Sequence, residues 1–493
     1  MKRRAFCTAG LAALAASSVP YRRLWSAPAT GIQAVGLDGQ PLSLKAADVD
    51  ELRLGLRGEL LTGADSGYDS ARRVWNAAFD RKPALIARCA GSADVMRAVS
   101  FAAAHGLLTA VRGGGHSLSG QSGCDGGLVI DLSGMRSVRV DPRAKLARVE
   151  AGALLGQLDR VAQAFGLATT AGTATDTGVA GLTLGGGVGR IGRKFGLSCD
   201  NLTAADIVTA DGRFVTASHD ENPDLMWALR GGGGNFGVVT GFEYRLHAVG
   251  PMLFGGSLSY PLAQAREVLR GFADFIASAP DELYVDVDLS AAGSSPGSVE
   301  FDVCYCGSPA EAQRVVAPLR KLGKPVEDHL APASYVKLQG ATDPPGPNHM
   351  GFYIKGGLVE HIKPALIDTI VDYLEASPGA GRAVVWQHQG GAISRIDPHA
   401  TAYWNRKALY NVMAFAMWPV PGDGAQPGAQ WVRGAWSRIE SFTDGYYVNL
   451  HEQEDHARRI QAAYGDNYPR LTALKKRYDP ANLFRLNANI KPA

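Results

Sequence analysis

A glycine-rich loop that ends in a histidine, Val111-Arg-Gly-Gly-Gly-His-Ser-Leu-Ser-Gly120, carries the residues best suited to chemistry in this sequence. Three consecutive glycines remove the side chains from the loop, so its backbone N–H groups can close around an anion. The imidazole of His116 then lies at the edge of that anion site. The excess of the chain's 60 glycines over the usual share of about 7% clusters here and in two more segments, 178–192 and 231–241.

Two strings in these segments satisfy the dinucleotide fingerprint G-x-G-x-x-G, namely Gly187-Val-Gly-Arg-Ile-Gly192 and Gly232-Gly-Gly-Asn-Phe-Gly237. A Rossmann site needs a strand before the glycines, a helix opening on them and an acidic residue about 20 positions later. Asp206 and Asp211 are candidates for that acid, but 181–184 is a poor buried strand and no helix pattern opens after Gly192. The second string follows a helix-like segment and precedes a strand. Rossmann-type NAD binding is therefore disfavoured, and the alternative is that all three loops hold one large ligand.

Periodic patterns around the loops predict the elements that position them. Apolar residues at helical spacing indicate a helix over 92–105, which leads into the first glycine-rich loop. A loose segment extends to about residue 50. The rest of the first half is predicted to be α+β, with helices over 154–165 and 224–229 and strands over 128–132, 147–151, 205–209 and 238–246.

From about residue 250 the pattern changes. Helices are predicted over 262–278, 310–322 and 365–377, strands over 298–306 and 409–417, and Pro/Gly-rich joints at 292–297, 343–348 and 419–429. The tail is predicted to be helical over 455–464 and 470–478. A chain of 493 residues is too long for one ordinary core, so we predict a second domain of antiparallel sheet covered by helices.

Composition limits the choice of partners. The net charge is only +3, and beyond the N-terminus no Lys/Arg run is longer than the three residues Lys475–Arg477, which argues against nucleic acid. The six cysteines form no CxxC pair and no Cys/His group at zinc spacing, so no metal site is predicted. Cys304 and Cys306 share one face of a predicted strand and need not bond. Buried free thiols are the default interpretation, and the sequence leaves open whether any two cysteines form a disulfide.

The N-terminus resembles an export signal. Met1-Lys-Arg-Arg-Ala-Phe6 is basic and precedes a short apolar run from Ala9 to Val19, which is too short to span a bilayer. Arg3-Arg4-Ala5-Phe6 resembles the twin-arginine motif, whose export machinery carries folded proteins. We therefore expect a removable signal over 1–27, a periplasmic or secreted location and no stable membrane anchor. The cleavage point stays open, and a fortuitously basic N-terminus is the alternative.

Several strings read together carry a family resemblance. They are Arg112-Gly-Gly-Gly-His-Ser117, Gly172-Thr-Ala-Thr-Asp-Thr-Gly-Val-Ala-Gly181, Leu184-Gly-Gly-Gly-Val-Gly189, Cys199-Asp-Asn-Leu202, Asp206-Ile-Val-Thr-Ala-Asp-Gly212, Asp224-Leu-Met-Trp-Ala-Leu-Arg-Gly-Gly-Gly-Gly-Asn-Phe-Gly237 and Tyr478-Asp-Pro-Ala-Asn-Leu-Phe-Arg-Leu-Asn487. In this order they resemble the FAD-linked oxidases of the berberine-bridge-enzyme group, in the vanillyl-alcohol-oxidase (PCMH-type) flavoprotein superfamily. The resemblance implies an FAD-binding domain over 51–247, an inserted substrate domain over 248–445 and a C-terminal segment, 446–493, that returns to the FAD domain.

The resemblance also implies which residues bind FAD. Arg112, Gly113, Gly114 and Gly115 are expected to bind the diphosphate, with Ser117 and Gly120 in the same loop. His116 is expected to bond covalently to the flavin 8α-methyl. The flavin ring is expected against Thr177, Gly178, Gly181, Gly185, Gly186, Gly187, Val188 and Gly189, and the adenine near the backbone of Val208. Asn449 falls where the family brings an Asn toward the ring. Asn487 and Asn489 are weaker candidates, and turn or capping roles are the alternative for all three Asn residues.

Two departures from the family pattern refine these expectations. Many members form a second covalent link through a Cys in a Gly-x-Cys-Pro string, but that position is Ala174 here. We therefore predict FAD bound through His116 alone, as in the 6-hydroxynicotine-oxidase-like members. Several members place a Tyr directly after the Asn of a Tyr-x-Asn string, and that position is Leu450. Substitute catalytic candidates are Tyr447, Tyr403 and His388, each with a core or rim role as the alternative.

The leading hypothesis is an oxidase that takes a hydride from an alcohol, a sugar hydroxyl or an amine. It would pass the electrons to O2 and form H2O2. The alternatives are a dehydrogenase of the same fold with another acceptor, a flavin-binding protein without turnover and a binding module without flavin. Trp386, Tyr403 and Trp404 suit an aromatic or sugar substrate, with core packing equally compatible, so the substrate stays open.

Overall fold

The computed structural model describes residues 31–293, 296–343, 349–452 and 457–493. The predicted signal over 1–27 and Cys7 lie outside the described residues. Within the described part, no helix is both long and apolar enough to cross a membrane. Cys89, Cys124, Cys199 and Cys304 are buried and Cys306 is half-buried, and all five are free thiols.

The first domain is built from short strands around the loops. Its strands are β1 (Ile32–Val35), β2 (Pro41–Leu44), β3 (Glu59–Leu61), β4 (Leu85–Arg88), β5 (Thr109–Arg112), β6 (Leu128–Asp131), β7 (Val138–Asp141), β8 (Leu146–Glu150), β9 (Leu167–Ala168), β10 (Leu202–Val208), β11 (Phe214–Ser218), β12 (Val238–Arg245) and β13 (His247–Ala248). Its helices are α1 (Ala46–Gly55), α2 (Tyr68–Arg72), α3 (Ser92–His105), α4 (Leu155–Gln163), α5 (Val179–Leu184), α6 (Gly192–Phe195) and α7 (Pro223–Leu229).

Two sheets carry this domain. The first has the order β3-β4-β6-β5, in which β4, β6 and β5 run parallel. The second is antiparallel, with the order β11-β10-β12-β8-β7. The helix predicted over 92–105 is confirmed with the same bounds, and it ends at Gly106, which has a left-handed φ of 58°.

Two local predictions for the first domain were wrong. From residue 31, where the described residues begin, the segment before residue 50 is not loose: β1 and β2 pair, and Leu44 and Val49 are buried in the core. A helix, α6, does open at Gly192. It lasts only four residues, and the glycines before it follow helix α5 instead of a strand. The strand–glycine–helix order of a Rossmann site is therefore still absent at this string.

The second domain is one large antiparallel sheet covered by helices. Its strands are β14 (Met252–Pro261), β15 (Leu283–Ser290), β16 (Ser298–Tyr305), β17 (Glu327–Asp328), β18 (Ala331–Ser334), β19 (Met350–Val359), β20 (Arg382–His388) and β21 (Tyr410–Pro419). Their order is β17-β14-β16-β15-β20-β21-β19, with β18 also on β14. The helices are α8 (Ala265–Ile276), α9 (Pro309–Val316), α10 (Tyr335–Gln339), α11 (Pro364–Ala376) and α12 (Ala425–Ile439).

Helix α12 corrects the predicted joint at 419–429. Pro427 and Gly428 suggested a break, but both lie near the start of the helix, where proline is tolerated. Trp431, Val432 and Ile439 then follow on a buried face of the helix. Burial of these side chains outweighs the local propensity of the first turn.

The C-terminal segment returns to the first domain. Helices α13 (Ala457–Tyr464) and α14 (Tyr468–Tyr478) precede an irregular stretch, and Leu471, Phe484 and Ile490 join the first domain's core. Lys475 and Asp479 form a fully buried ion pair at 2.6 Å. The Lys475 ammonium also donates to the carbonyls of Asn235, at 2.8 Å, and Phe484, at 2.9 Å. These bonds attach the segment to the third glycine-rich loop. Taken together, the two domains confirm the predicted α+β fold.

Candidate active site

All three glycine-rich segments meet at one cavity of about 430 Å³. The C-terminal segment and strands of the second domain complete its walls. The main lining stretches are 113–119, 172–174, 177–178, 180–182, 233–234, 237–239, 447–451 and 486–488. The cavity therefore forms only when the two domains and the chain terminus come together.

The first loop leaves strand β5 and presents its backbone to the cavity. Gly113, Gly114 and Gly115 all line it. A Cβ on Gly114 would lie 2.4 Å from the Cα of Gly178, so the two loops touch backbone to backbone. Gly115 has a φ of +72°, which other residues rarely adopt. Glycine is thus required both for the approach of the second loop and for the turn that leads to His116.

His116 lines the same cavity in a fixed orientation. The indole of Trp75 stacks on its ring, with centroids 4.0 Å apart. Its Nε2 atom lies 3.2 Å from Oδ1 of Asp176, off the ideal line of a hydrogen bond, and neither atom has another hydrogen-bond partner among the described residues. The Trp75 indole N–H donates to Oδ2 of Asp176 at 2.8 Å. Burial raises the pKa of Asp176, but the contacts with His116 and Trp75 outweigh it and lower the pKa below its ordinary value.

The second glycine run does not form the open floor that was predicted for the flavin ring. Val188 lines the cavity, but Gly185, Gly186, Gly187 and Gly189 are not among its lining residues. A Cβ on each would strike protein: 1.9 Å from Asn449 Oδ1, 2.8 Å from the Tyr403 ring, 2.4 Å from Ser198 Oγ and 1.5 Å from the Ala171 carbonyl, in that order. These glycines lack side chains because the protein packs against them.

Other residues of the second segment face the cavity. Thr177, Gly178 and Gly181 line the cavity. Gly181 is exposed, and a Cβ there would meet no atom within 4 Å. The space in front of Gly181 is therefore open to a ligand.

Tyr447 and Asn449 lie between the second glycine run and the cavity, and both line it. The Tyr447 hydroxyl oxygen accepts the N–H of Gly187 at 3.0 Å and the Asn449 Nδ2–H at 2.8 Å. Asn449 Nδ2 also donates to the Leu182 carbonyl at 3.0 Å. Burial raises the pKa of Tyr447, and the two donated hydrogen bonds oppose that rise. With two N–H donors on the oxygen, the Tyr447 O–H remains available to the cavity.

The other two catalytic candidates do not line the cavity described here. The Tyr403 hydroxyl donates to Oε1 of Gln389 at 3.0 Å, and its ring packs behind Gly186. His388 is buried and stacks on Tyr410 with centroids 4.6 Å apart. These placements argue against catalytic roles for Tyr403 and His388.

Both ring nitrogens of His388 face protein atoms. Nδ1 accepts the Val285 N–H at 3.1 Å, and Nε2 lies 3.0 Å from the Arg193 guanidinium. Burial and the charge of Arg193 lower the pKa of His388 well below its ordinary value. His388 therefore acts as a neutral, buried residue at the end of strand β20.

The second domain supplies side chains to one side of the cavity. Ile354 and Met413, from β19 and β21, form an apolar wall together with Leu450, and Gln387 of β20 adds an amide. His451 is the remaining titratable group on this side. Among the described lining residues there is no Lys, Arg, Asp or Glu. Trp386, which was considered for an aromatic or sugar face, is fully buried in the second domain's core.

The remaining predicted FAD residues divide into two groups. Ser117 and Asn487 line the cavity, and the Asn487 amide donates to the Gly234 and Phe484 carbonyls, each at 3.1 Å. Arg112, Gly120, Val208 and Asn489 lie behind the lining.

Three residues of the second group, Arg112, Gly120 and Val208, each have a protein neighbour that accounts for their place. Arg112 donates to the Ala71 carbonyl from beneath the loop. A Cβ on Gly120 would lie 2.4 Å from the Phe79 ring. Val208 is paired on both sides within its sheet, with Phe214 and Val238. These residues support the walls and do not form them.

The residues present fit FAD. Backbone N–H groups at Gly113–Gly115 suit a diphosphate, and His116 lies next to them. Asn487 Oδ1, a buried polar atom at the cavity, has no hydrogen-bond partner among the described residues. Such atoms cost free energy unless a ligand satisfies them.

Sequence reasoning missed the two side chains that hold His116. Trp75 lies in a segment without a recognised motif. Its neighbour Asn76 bridges the domains, because its amide donates to the carbonyls of Leu118, at 2.6 Å, and Phe352, at 2.9 Å. Asp176 was visible as a carboxylate next to Thr177 and Gly178, which were expected to lie against the flavin ring. A charged side chain beside residues assigned to a ring system was the available signal.

Known proteins are similar to this chain in sequence and in fold. Residues 83–218 match the family model "FAD binding domain", and residues 446–491 match "Berberine and berberine like". The chain is 33% identical over 454 residues to (R)-6-hydroxynicotine oxidase of Paenarthrobacter nicotinovorans, covering 89% of this chain and 98% of that protein. It is 29% identical to a xylooligosaccharide oxidase of Thermothelomyces thermophilus, covering 91% and 95%. The crystal structure of 6-hydroxy-D-nicotine oxidase from Arthrobacter nicotinovorans superposes with a TM-score of 0.82 at 30% identity, covering 89% and 99%.

Proposed function

Because the chain belongs to the berberine-bridge-enzyme-like family of FAD-linked oxidoreductases, we propose that it is an oxidase. It removes a hydride from an alcohol, a sugar hydroxyl or an amine and passes the electron pair to O2, which gives H2O2. The observation that carries the proposal is the single cavity in which His116, three glycine-rich loops and second-domain side chains meet. When bound there, FAD accepts the hydride.

His116 is the single covalent attachment point for FAD in this proposal. Its ring lines the cavity, and Ala174 lines the same cavity where many family members have a cysteine. A methyl group cannot form a thioether. Mass spectrometry of digested protein is expected to show one flavin-modified peptide, and that peptide contains His116. Release of all flavin by acid denaturation would contradict the assignment.

Tyr447 is the group that handles the substrate proton. Of the three candidates it is the one that lines the cavity, and two N–H donors fix its hydroxyl oxygen. A hydroxyl held in this way can exchange a proton with a substrate O–H or N–H while a hydride leaves the adjacent carbon. Leu450, where several relatives have a tyrosine, contributes apolar surface only.

The substrate side of the cavity favours a compact molecule that binds in its uncharged form, so an amine would bind as the free base. Ile354, Met413 and Leu450 present hydrocarbon, while Gln387 and Tyr447 can orient one or two polar groups. A long oligosaccharide would need more hydrogen-bonding side chains than these walls offer. Of the activities named for its relatives, oxidation of a heterocyclic amine, as in (R)-6-hydroxynicotine oxidase, suits this surface better than oxidation of a xylooligosaccharide.

Flavin bleaching tests the function directly. The purified yellow protein is mixed without oxygen with a panel of amines, alcohols and sugars, and the loss of flavin absorbance is followed. Amines with an apolar ring are expected to bleach it, and air is then expected to restore the colour with formation of H2O2. Bleaching that air does not reverse but a dye does would indicate a dehydrogenase. Flavin that stays oxidised across the panel would support binding without turnover.

Export of the folded protein is also part of the proposal. The support is the basic start with Arg3 and Arg4 and the apolar run that follows. In a bacterial host the protein is expected outside the cytoplasm, and replacing both arginines with lysine is expected to keep it inside. Equal export of the two forms would contradict a twin-arginine route.

A further inference from the structure

Asp176 is a carboxylate that the proposed reaction does not use, although it lies within reach of His116. Nε2 of His116 and Oδ1 of Asp176 are 3.2 Å apart, and the Asp176 side chain is 32% exposed. The indole N–H of Trp75 holds the other carboxylate oxygen at 2.8 Å. The three side chains therefore form a chain of contacts in the order Trp75, Asp176, His116.

Trp75 also fixes the plane of the imidazole. Its ring stacks on His116 at 4.0 Å with an interplanar angle of 26°. On Phe352 it stacks at 4.5 Å. Its backbone N–H donates to the Gly115 carbonyl at 2.9 Å, which ties it to the loop that carries His116. The imidazole can therefore turn little without breaking these contacts.

The loop that carries Asp176 is held from the second domain. The Thr175 N–H donates to Oδ1 of Asp343 at 2.7 Å, and the Thr175 hydroxyl donates to the other oxygen of that carboxylate. The Thr342 hydroxyl donates to the Thr173 carbonyl at 2.6 Å. Asp176 is thus positioned from both sides of the cavity.

An ionised carboxylate only accepts hydrogen bonds, so it favours the tautomer in which the imidazole nitrogen that faces it carries the proton. Burial raises the pKa of Asp176, but the contacts with His116 and Trp75 outweigh it and hold that pKa below its ordinary value, so the carboxylate stays charged at neutral pH. With the proton on Nε2, the lone pair of His116 lies on Nδ1. A carboxylate beside Nε2 also stabilises the positive charge that the ring gains when Nδ1 forms a bond.

We propose that Asp176 is a positioning residue for the covalent attachment of FAD to His116. It selects the tautomer with a nucleophilic Nδ1 and stabilises the imidazolium that forms. This inference rests on the proposed function, in which His116 is the attachment point. It assigns a role to a residue that is not among the expected FAD-binding residues, and it makes Trp75 the residue that holds Asp176 in place.

The step balances in atoms and electrons. A bond forms between Nδ1 and the 8α carbon, and one C–H bond of that methyl group breaks. The electron pair of the broken bond remains on the flavin, which is thereby reduced by two electrons. Dioxygen, the acceptor already proposed, takes this pair. Reduced dioxygen also takes two protons, one from the methyl group and one from Nε2 of the imidazolium, and becomes hydrogen peroxide.

The test measures covalent attachment apart from turnover. Full-length variants are purified, and total flavin absorbance is compared with the flavin that stays on the protein after acid precipitation and with the intact mass. Asp176→Asn is expected to bind FAD but to form the covalent link at least ~10-fold more slowly. Asp176→Glu is expected to restore most of the rate. Trp75→Phe keeps the stacked ring, loses the indole N–H and is expected to fall between Asp176→Asn and the wild type.

Two controls separate the possible failures. His116→Ala is expected to hold no acid-stable flavin, and acid-stable flavin in it would overturn the attachment point and thus the proposed function. Asp211→Asn, which removes a hydrogen-bonded carboxylate elsewhere in the first domain, is expected to match the wild type. Wild-type attachment in Asp176→Asn, with His116→Ala unmodified, would overturn this inference alone. If Asp176→Asn does not fold, Trp75→Phe decides, and its attachment at the wild-type rate overturns the proposal.

Discussion

Two glycine runs in the first domain look alike in sequence and do different work. Gly113–Gly115 turn their backbone toward the cavity and precede its histidine. Four of the five residues in the run 185–189 are glycines, but they do not face the cavity. Asn449, Tyr403, Ser198 and the Ala171 carbonyl pack against them. The first run is a surface for a ligand, and the second is a surface for the protein's own side chains.

The difference shows two physical reasons for an absent side chain. A backbone that must approach an anion needs glycine because a Cβ would keep the ligand away. A backbone that receives a neighbouring side chain needs glycine because the interior is already close-packed. If a glycine approaches a ligand, its replacement by alanine should weaken ligand binding. If a side chain packs against the glycine, the same replacement should unfold the protein or displace that side chain.

Gly189→Ala should have the largest effect. The new Cβ would lie 1.5 Å from the Ala171 carbonyl oxygen, an atom of the backbone that cannot turn aside. We expect a loss of at least about 3 kcal/mol in the free energy of unfolding, with little soluble protein. Thermal unfolding and soluble yield measure this. Gly63→Ala, where a Cβ meets nothing within 4 Å, is the matched control, and equal stability of the two variants would contradict packing as the reason for Gly189.

Tyr447→Phe should have the next largest effect, and it should affect rate more than stability. The change removes the hydroxyl that Gly187 and Asn449 hold at the cavity. We expect flavin reduction by substrate to slow about 100-fold, measured by anaerobic stopped-flow absorbance.

Tyr403→Phe is the matched comparison for Tyr447→Phe. It leaves the amide oxygen of Gln389 without its hydroxyl partner. We expect a loss of about 1–3 kcal/mol in stability and a wild-type rate of flavin reduction. A slow Tyr403→Phe beside a normal Tyr447→Phe would reverse the assignment of the two tyrosines.

Gly185→Ala should have a smaller effect that links the second run to catalysis. Its Cβ would lie 1.9 Å from Oδ1 of Asn449, the end of a side chain that can move. We expect Asn449 to shift, its bond to Tyr447 to weaken, and flavin reduction to slow roughly 10-fold. Asn449→Ala should give a similar rate. A full rate in Gly185→Ala, with a lowered melting temperature, would mean that Gly185 serves packing alone.

The sequence predicted the backbone part of this site better than the side-chain part. Recognition by backbone groups requires glycine, so the loop at Gly113 and His116 was visible as a motif. What fills the space beside Gly189 is the Ala171 carbonyl, which no local pattern reports. The same holds for Trp75, which lies 101 positions from Asp176 in the chain and meets it only in the fold.

The second domain shows the same limit. Its antiparallel sheet and covering helices followed from periodicity, and the fold class was correct. No strand was predicted at β19, and alternation along β21 could not tell which face of the sheet meets the cavity, so Ile354 and Met413 were not predicted. Helix α12 was missed because a proline in its first turn resembles a joint. Contacts between distant segments settle both points, and they are not encoded in any one window of sequence.

Gly181→Ala should have the smallest effect on stability, and it tests the ligand side of the comparison. Gly181 lies inside helix α5 and faces open space. Alanine is a better helix residue, so the protein without flavin should gain up to about 1 kcal/mol in stability. The methyl group would enter the cavity, and FAD should bind more weakly. Both quantities are best measured in a His116→Ala background, where flavin can be removed and its affinity titrated. If Gly181→Ala were to bind FAD with unchanged affinity, the open space in front of this helix would not belong to the cofactor, and α5 would join the run at 185–189 as a packing element.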